Sequence, residues 1–144
     1  DVPDHYHGIA GSVDWYRNLY AVTGACQMMR KTTFTELGGY DENFQLVFSD
    51  IDLCLRAIKK GYRNLYTPNA VLKHLEGKSR GYKSPNKDIL RGFDLFMEWI
   101  QKEDPYYSPN LTYTTIPMCR WGQGTINHRS AQIEEKRKYI QRAI

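Results

Sequence analysis

The spacing of apolar and polar positions changes character several times along the 144-residue chain, and each change predicts a short strand or helix. Residues 1–18 show no period; their polar-aromatic mix with Gly8 and Gly11 reads as a loop leading into the rest. Residues 19–30 form a largely apolar run suited to a buried strand, interrupted by the small side chains of Thr23-Gly24-Ala25. Glycine in a strand pattern marks a bulge or the close approach of another backbone or a ligand; tight packing against a helix suits it equally. A short helix is predicted from Thr33, with Thr33-x-x-Glu36 as its capping box, Phe34 and Leu37 inward, and Gly38 as its stop. Gly39-Tyr40-Asp41-Glu42-Asn43 is turn chemistry.

The next helix, Ser49 to Lys60, carries the most information. Ser49 with Asp52 three residues later fits an N-terminal capping box, which puts Asp50 at the first helical position, where the helix dipole favours negative charge. Ile51, Leu55 and Ile58 share one face with Cys54 beside them, Arg56, Lys59 and Lys60 point outward, and Gly61 ends the helix. A carboxylate at residue 50 would project from a rigid support toward a ligand. Spacing by itself favours the plainer reading, a first-turn acid that only complements the dipole.

Beyond it, Arg63–Thr67 and Ala70–Leu75 read as two short strands separated by Pro68-Asn69. His74 closes the second, and Glu76–Gly81 is a polar, glycine-flanked loop. Ser84-Pro85 opens the longest helix, with Ser as cap and Pro at the first helical position. Ile89, Leu90, Phe93, Met97 and Ile100 recur at helical spacing, flanked by Phe96 and Trp99, as a core-packing stripe. Asp104-Pro105 ends it, 106–110 is turn-rich, and 111–118 is weakly strand-like. The tail from Ile126 to Ile144 is helical in composition and basic, with Ile133, Ile140 and Ile144 as a thin apolar seam.

Composition adds little to this and excludes a few classes. Hydrophobic content of 41% and charged content of 25% are ordinary for a globular protein. A net charge of +4 fits contact with phosphate or a membrane surface without requiring either. No apolar run is long enough to span a bilayer and no signal-peptide pattern is present. Cys26, Cys54 and Cys119 lie far apart and form no CxxC, which argues against a disulfide framework or cysteine-based zinc and for a reducing, cytoplasmic compartment. His5 and His7 could face one side of an extended segment, although with no third His nearby a solvated loop is the better account. The start at Asp1 reads as a piece cut from a longer protein.

Taken together, an ordered series of short motifs resembles the C-terminal half of a family 2 glycosyltransferase of the GT-A type. The series runs Thr23-Gly24-Ala25-Cys26 with Arg30, Gly38-Gly39-Tyr40-Asp41-Glu42-Asn43-Phe44, Asp50-Ile51-Asp52-Leu53-Cys54-Leu55-Arg56, Gly61-Tyr62-Arg63, and Pro68-Asn69-Ala70-Val71. It closes with His74-x-Glu76-Gly77-x-Ser79-Arg80-Gly81, and Asp104 to Leu111 is similar to the segment trailing this domain in bacterial members. The likeness covers about residues 20–111.

The resemblance implies an α/β fold: the later portion of a nucleotide-diphospho-sugar transferase-like domain, a small mixed sheet with packed helices, incomplete without its N-terminal half. On that basis residues 1–18 lead in, 19–111 are the C-terminal half of the domain, and 112–144 trail it with a basic helix. It implies a catalytic base at Asp50, with Ser49 standing where the family usually has Glu. Substrate contacts fall to Thr23, Gly24, Ala25, Asp52, Lys78, Ser79 and Arg80, and His74 matches a position that can complete a Mg²⁺ or Mn²⁺ site. The implied reaction is inverting transfer of a hexosyl or deoxyhexosyl group from a nucleotide-sugar donor to a glycan or lipid-linked acceptor. The setting is cell-envelope polysaccharide synthesis, in the cytoplasm at the inner face of the membrane. The isolated chain is expected to be inactive and to self-associate through open edges. A carbohydrate- or nucleic-acid-binding module built on the 11 Tyr is the competing reading, but no nucleic-acid motif is present and no nucleic-acid partner is expected. A hydrolase pairing Asp50 with Asp52 is disfavoured, because residues two apart on a helix point in different directions.

Overall fold

The computed structural model describes residues 14–74, 84–100 and 102, 105–106, and, in the tail, 134–135, 137–139 and 141–142. The described part is mixed α/β. Its order is β1 (Arg17–Leu19), a single 3-10 turn (Gly24–Cys26), α1 (Lys31–Glu36), α2 (Ser49–Lys59), β2 (Asn64–Tyr66) and α3 (Asn86–Ile100). β1 and β2 pair antiparallel in register Arg17↔Tyr66, Asn18↔Leu65 and Leu19↔Asn64.

The helices form much where the periodicity predicts them, and glycine ends two of them as expected. Gly38 (φ 81°) and Gly61 (φ 87°) adopt the left-handed conformation that side chains resist. At each end the backbone closes a Schellman motif, with Gly39 N–H donating to Phe34 O at 2.9 Å and Tyr62 N–H to Ala57 O at 3.0 Å. The starts differ. α1 begins at Lys31 behind Arg30, with no side-chain cap, so the Thr33–Glu36 box does not form. α2 begins at Ser49 rather than after it, so Asp50 is its second residue, and the Ser49–Asp52 box is likewise absent. α3 is assigned from Asn86, one residue beyond the predicted start, although Ile89 N–H already bonds Pro85 O at 3.2 Å.

Two predicted strands are not strands. From residue 20 to 30 only the 3-10 turn is regular; Gly24 to Cys26 are exposed and Met28 is 97% exposed. Residues 70–74 are irregular and exposed, including Val71 and Leu72. A strand is stabilised by its partner, and among the described residues neither stretch has one.

α2 is the central element. Leu53 and Ala57 pack with Leu37, backed by Met29 and Phe34, while Cys54 and Leu55 are also buried. The buried side is therefore centred on Leu53, Cys54 and Ala57, and Ile51 and Ile58, expected inward, are only half-buried. Arg56, expected outward, instead caps α1, donating to the carbonyls of Leu37 and Gly39 that the helix end leaves open. Buried Asn64 ties β2 to the rest, its Nδ2 donating to Tyr20 O at 2.8 Å and Cys54 O at 3.1 Å.

α3 lies beside the segment that enters α2. Phe96 stacks on Phe44 and meets Phe48 edge-on, and Trp99 meets Tyr20 edge-on. Asp88 is completely enclosed, and its carboxylate accepts N–H bonds from Gln45 (2.9 Å), Leu46 (2.7 Å) and Val47 (2.9 Å). Burial pushes this carboxyl up, but the three backbone donors and neighbouring Lys87 outweigh it and hold it below the usual carboxylate range. Asp41 shows the same balance: burial raises it, while Arg91 and Asn43 bring it down to about 2. The described tail positions are helical, and Arg137 pairs with Asp94 of α3. The apolar seam at Ile133, Ile140 and Ile144, the 111–118 segment, Asp104 and the 1–13 lead lie outside the described residues.

Asp88→Ala would remove the carboxylate that accepts from three main-chain donors, and urea unfolding should show a loss of about 3 kcal/mol at unchanged m. Asp41 and Asp88 both bind protons less readily when folded, so the stability they contribute is complete above the unfolded value of 3.8. It should then be lost as pH falls from about 4 toward 2, as urea midpoints measured across that range would record.

Candidate functional site

The chain enters α2 through a strained residue. Phe48 stands in the left-handed region (φ 75°, ψ −7°) and precedes the helix without a side-chain cap. An aromatic residue there costs about 1–2 kcal/mol and persists only where its surroundings enforce it. Here Phe44 and Phe96 hold the ring edge-on at 6.4 Å and 6.0 Å, and it lies over Gly92 of α3. A Cβ on Gly92 would stand 3.0 Å from Phe48 Cδ2. With Asp88 fixing the three residues before it, the backbone delivering Ser49 and Asp50 is set by α3.

Asp50 is half-buried, and both of its oxygens are held by main-chain donors. Gly24 N–H reaches Oδ2 at 2.7 Å and Ile51 N–H reaches Oδ1 at 2.9 Å. Of the readings open for Gly24, packing against a helix is the one found: a Cβ on residue 24 would lie 3.1 Å from Cβ of Asp50 in α2.

These residues border a cleft of about 540 Å³, within the range of small-molecule sites, lined by Thr23, Gly24, Ala25, Tyr40, Leu46, Val47, Phe48, Ser49, Asp50 and His74. Asp50, His74 and the Thr23–Ala25 segment, singled out from sequence, are brought together. Asp52 is not. It is buried, its carboxylate pairs with Arg56 at 2.7 Å, and it borders no part of the cleft. Lys78, Ser79 and Arg80 lie outside the described residues.

Beneath the cleft a line of polar contacts runs from its wall into the core. Tyr40 O–H donates to Gln27 Oε1 (3.3 Å), Gln27 Nε2 donates to Cys54 Sγ (3.2 Å), and the thiol faces Val22 O at 3.8 Å. Burial raises the Cys54 thiol, and the charge of Asp50 raises it further, so Cys54 remains a protonated packing residue.

Among the described residues no three His, Cys, Asp or Glu side chains stand together as a metal cage. The exposed imidazole of His74 is one nitrogen donor at the cleft. Mg²⁺ and Mn²⁺ prefer carboxylate, phosphate and water oxygens to imidazole, so His74 would be at most one ligand of an ion held chiefly by oxygens of a bound nucleotide.

The sequence reading missed Tyr40, Leu46, Val47 and Phe48 as cleft walls, and Asp88 and Gly92 as their supports. Gly92 did carry a signal, since an isolated glycine inside a helical pattern costs about 1 kcal/mol and calls for a packing reason. Asp88 carried none; it reads as an ordinary first-turn acid.

The chain is similar to several curated proteins. It is 40% identical over 106 residues to the O-antigen biosynthesis protein RfbC of Myxococcus xanthus, a match covering 72% of this chain and 8% of that protein. It is 33% identical over 60 residues to the N-acetylglucosaminyl-diphospho-decaprenol L-rhamnosyltransferase of Mycobacterium tuberculosis, covering 42% of this chain and 20% of that protein. A third relative, the uncharacterized protein y4gI of Sinorhizobium fredii, is 34% identical over 117 residues, or 76% of this chain and 13% of its own length. The chain therefore spans a fifth or less of the length of these relatives. No family model and no solved structure matches it. No helix among the described residues is long and apolar enough to cross a membrane.

Gly92→Ala tests the support given by α3. At an exposed helical site the change would stabilise by about 1 kcal/mol. Against Phe48 it overpacks, at about 1–3 kcal/mol. Urea unfolding should therefore show a net loss of roughly 1 kcal/mol, opposite in sign to the propensity effect.

Proposed function

We propose that this chain is the acceptor-side part of an inverting glycosyltransferase of the GT-A type, with Asp50 as the base. The observation that carries the reading is the convergence of Asp50, His74 and Thr23-Gly24-Ala25 on one cleft. The similarity to RfbC and to the mycobacterial rhamnosyltransferase supports it, and the second of these favours deoxyhexosyl among the transferred groups.

The placement supports the following chemistry. An acceptor hydroxyl in the cleft passes its proton to the Asp50 carboxylate as its oxygen forms a bond to the anomeric carbon. The bond from that carbon to the nucleoside diphosphate breaks, and its electron pair leaves with the diphosphate. Two main-chain bonds hold the Asp50 carboxylate still, so it meets the hydroxyl without a search over rotamers. Ser49, which stands where the family usually has Glu, lies beside Asp50 on the cleft wall. His74 would hold one position of a Mg²⁺ or Mn²⁺ ion, which when bound neutralises charge on the departing diphosphate. Lys78, Ser79 and Arg80 would close over that diphosphate as donors to its oxygens.

The acceptor is a glycan or a lipid-linked saccharide of the cell envelope, met at the cytoplasmic face of the membrane. Nucleotide contacts would come from further parts of the same protein, so the 144-residue chain by itself should neither bind nucleotide sugar tightly nor turn over, and its exposed Met28, Val71 and Leu72 would drive self-association.

In the complete enzyme, Asp50→Asn should lower kcat by roughly a thousandfold with little change in donor KM. A variant keeping more than a tenth of the rate would remove Asp50 from the chemistry. His74→Ala should raise the Mn²⁺ concentration giving half-maximal rate by at least roughly tenfold. An unchanged metal response would take His74 out of the ion site.

A further inference from the structure

We infer that Gly24 is a positioning residue for the Asp50 carboxylate, and that its missing side chain makes room for that carboxylate. The inference rests on the reading of Asp50 as the base.

Three observations converge on residue 24. Its N–H lies 2.7 Å from Asp50 Oδ2, a short bond to an ionised acceptor, although the two residues are 26 positions apart. A Cβ at residue 24 would meet Asp50 Cβ at 3.1 Å, Oδ2 at 3.4 Å and Cγ at 3.6 Å, so the whole carboxyl-bearing arm lies against the glycine. The turn that presents this N–H is fixed locally, since Thr23 Oγ1 accepts from Ala25 N–H at 3.3 Å and starts the 3-10 turn. Residue 24 carries no left-handed backbone angle, so conformational freedom does not explain the glycine. Closeness to Asp50 does.

The consequence is mechanical. Ile51 N–H fixes Oδ1 from within the helix, and Gly24 N–H fixes Oδ2 from a separate segment. Together they set the carboxylate plane, and so the direction from which a hydroxyl can deliver its proton. Pushing the carboxylate aside by a few tenths of an ångström leaves the binding surface largely intact while spoiling the approach.

In the complete enzyme Gly24→Ala should lower kcat by roughly 10- to 100-fold, leave donor and acceptor KM within about twofold, and preserve the melting temperature. In the Asp50→Asn background the same change should have almost no further effect on kcat, because the group it positions has gone. If Gly24→Ala raises KM and spares kcat, the glycine serves bound sugar and the inference fails while Asp50 stays the base. If Asp50→Asn is itself active, the underlying reading fails. A second measurement needs no change at residue 24. Hydrogen–deuterium exchange of the peptide spanning residues 20–30 should speed up in Asp50→Ala, where the Gly24 amide loses its acceptor. Unchanged exchange there would overturn the inference, even if Gly24→Ala proved too unstable to assay.

Discussion

The carboxylate of Asp88 is what the rest of the site leans on. Residues 44–48 form no ladder and no helix, so their main-chain donors must be satisfied by something brought to them. α3 supplies it. One enclosed carboxylate takes three successive N–H groups, and the cost of removing its charge from water is offset by charge-assisted bonds to rigid donors. Asp41, held by Arg91 one turn further along α3, adds a second tie. The helix thus acts as a template for the whole 41–48 segment. Phe48 can remain in a disfavoured conformation because both its backbone approach and its ring are already committed. The position of Asp50 then follows from the position of Phe48.

What the sequence made legible, and what it did not, follows from how local each interaction is. Helices were readable because their periodicity and their glycine stops at residues 38 and 61 are properties of neighbouring residues. The capping boxes failed for a non-local reason. Phe48 enters α2 from a loop anchored by α3, which leaves Ser49 inside the first turn, and Asp52 is taken by Arg56 four residues on. The predicted strands do not form over residues 20–30 and 70–74 because an apolar run states a preference for burial and says nothing of the partner. The alternation of half-buried Gln27 and Met29 with exposed Met28 and Arg30 keeps a strand-like period with no strand beside it among the described residues. Likewise Asp50, His74 and Thr23–Ala25 were readable as a group only through the order of the motifs, since no single spacing in the chain links residues 23, 50 and 74.

The structure also separates carboxylates that sequence treats alike. A carboxylate has about four acceptor sites. Asp88 gives three to backbone donors and is sealed from solvent, so nothing can reach it. Asp52 is buried against the guanidinium of Arg56, which also carries the end of α1, so freeing it would cost two helix contacts. Asp41 is shared between Arg91 and the turn at Asn43. Each of these three acids is spent on holding the fold. Asp50 differs. Two N–H groups take one site on each of its oxygens, enough to fix the plane, and the carboxylate still borders open space. A base needs both properties at once: too few internal bonds leave it mobile, and too many leave no lone pair for the incoming proton. The count at residue 50 meets that condition, and it does so through Gly24, whose lack of a side chain lets a second segment of chain come within bonding distance.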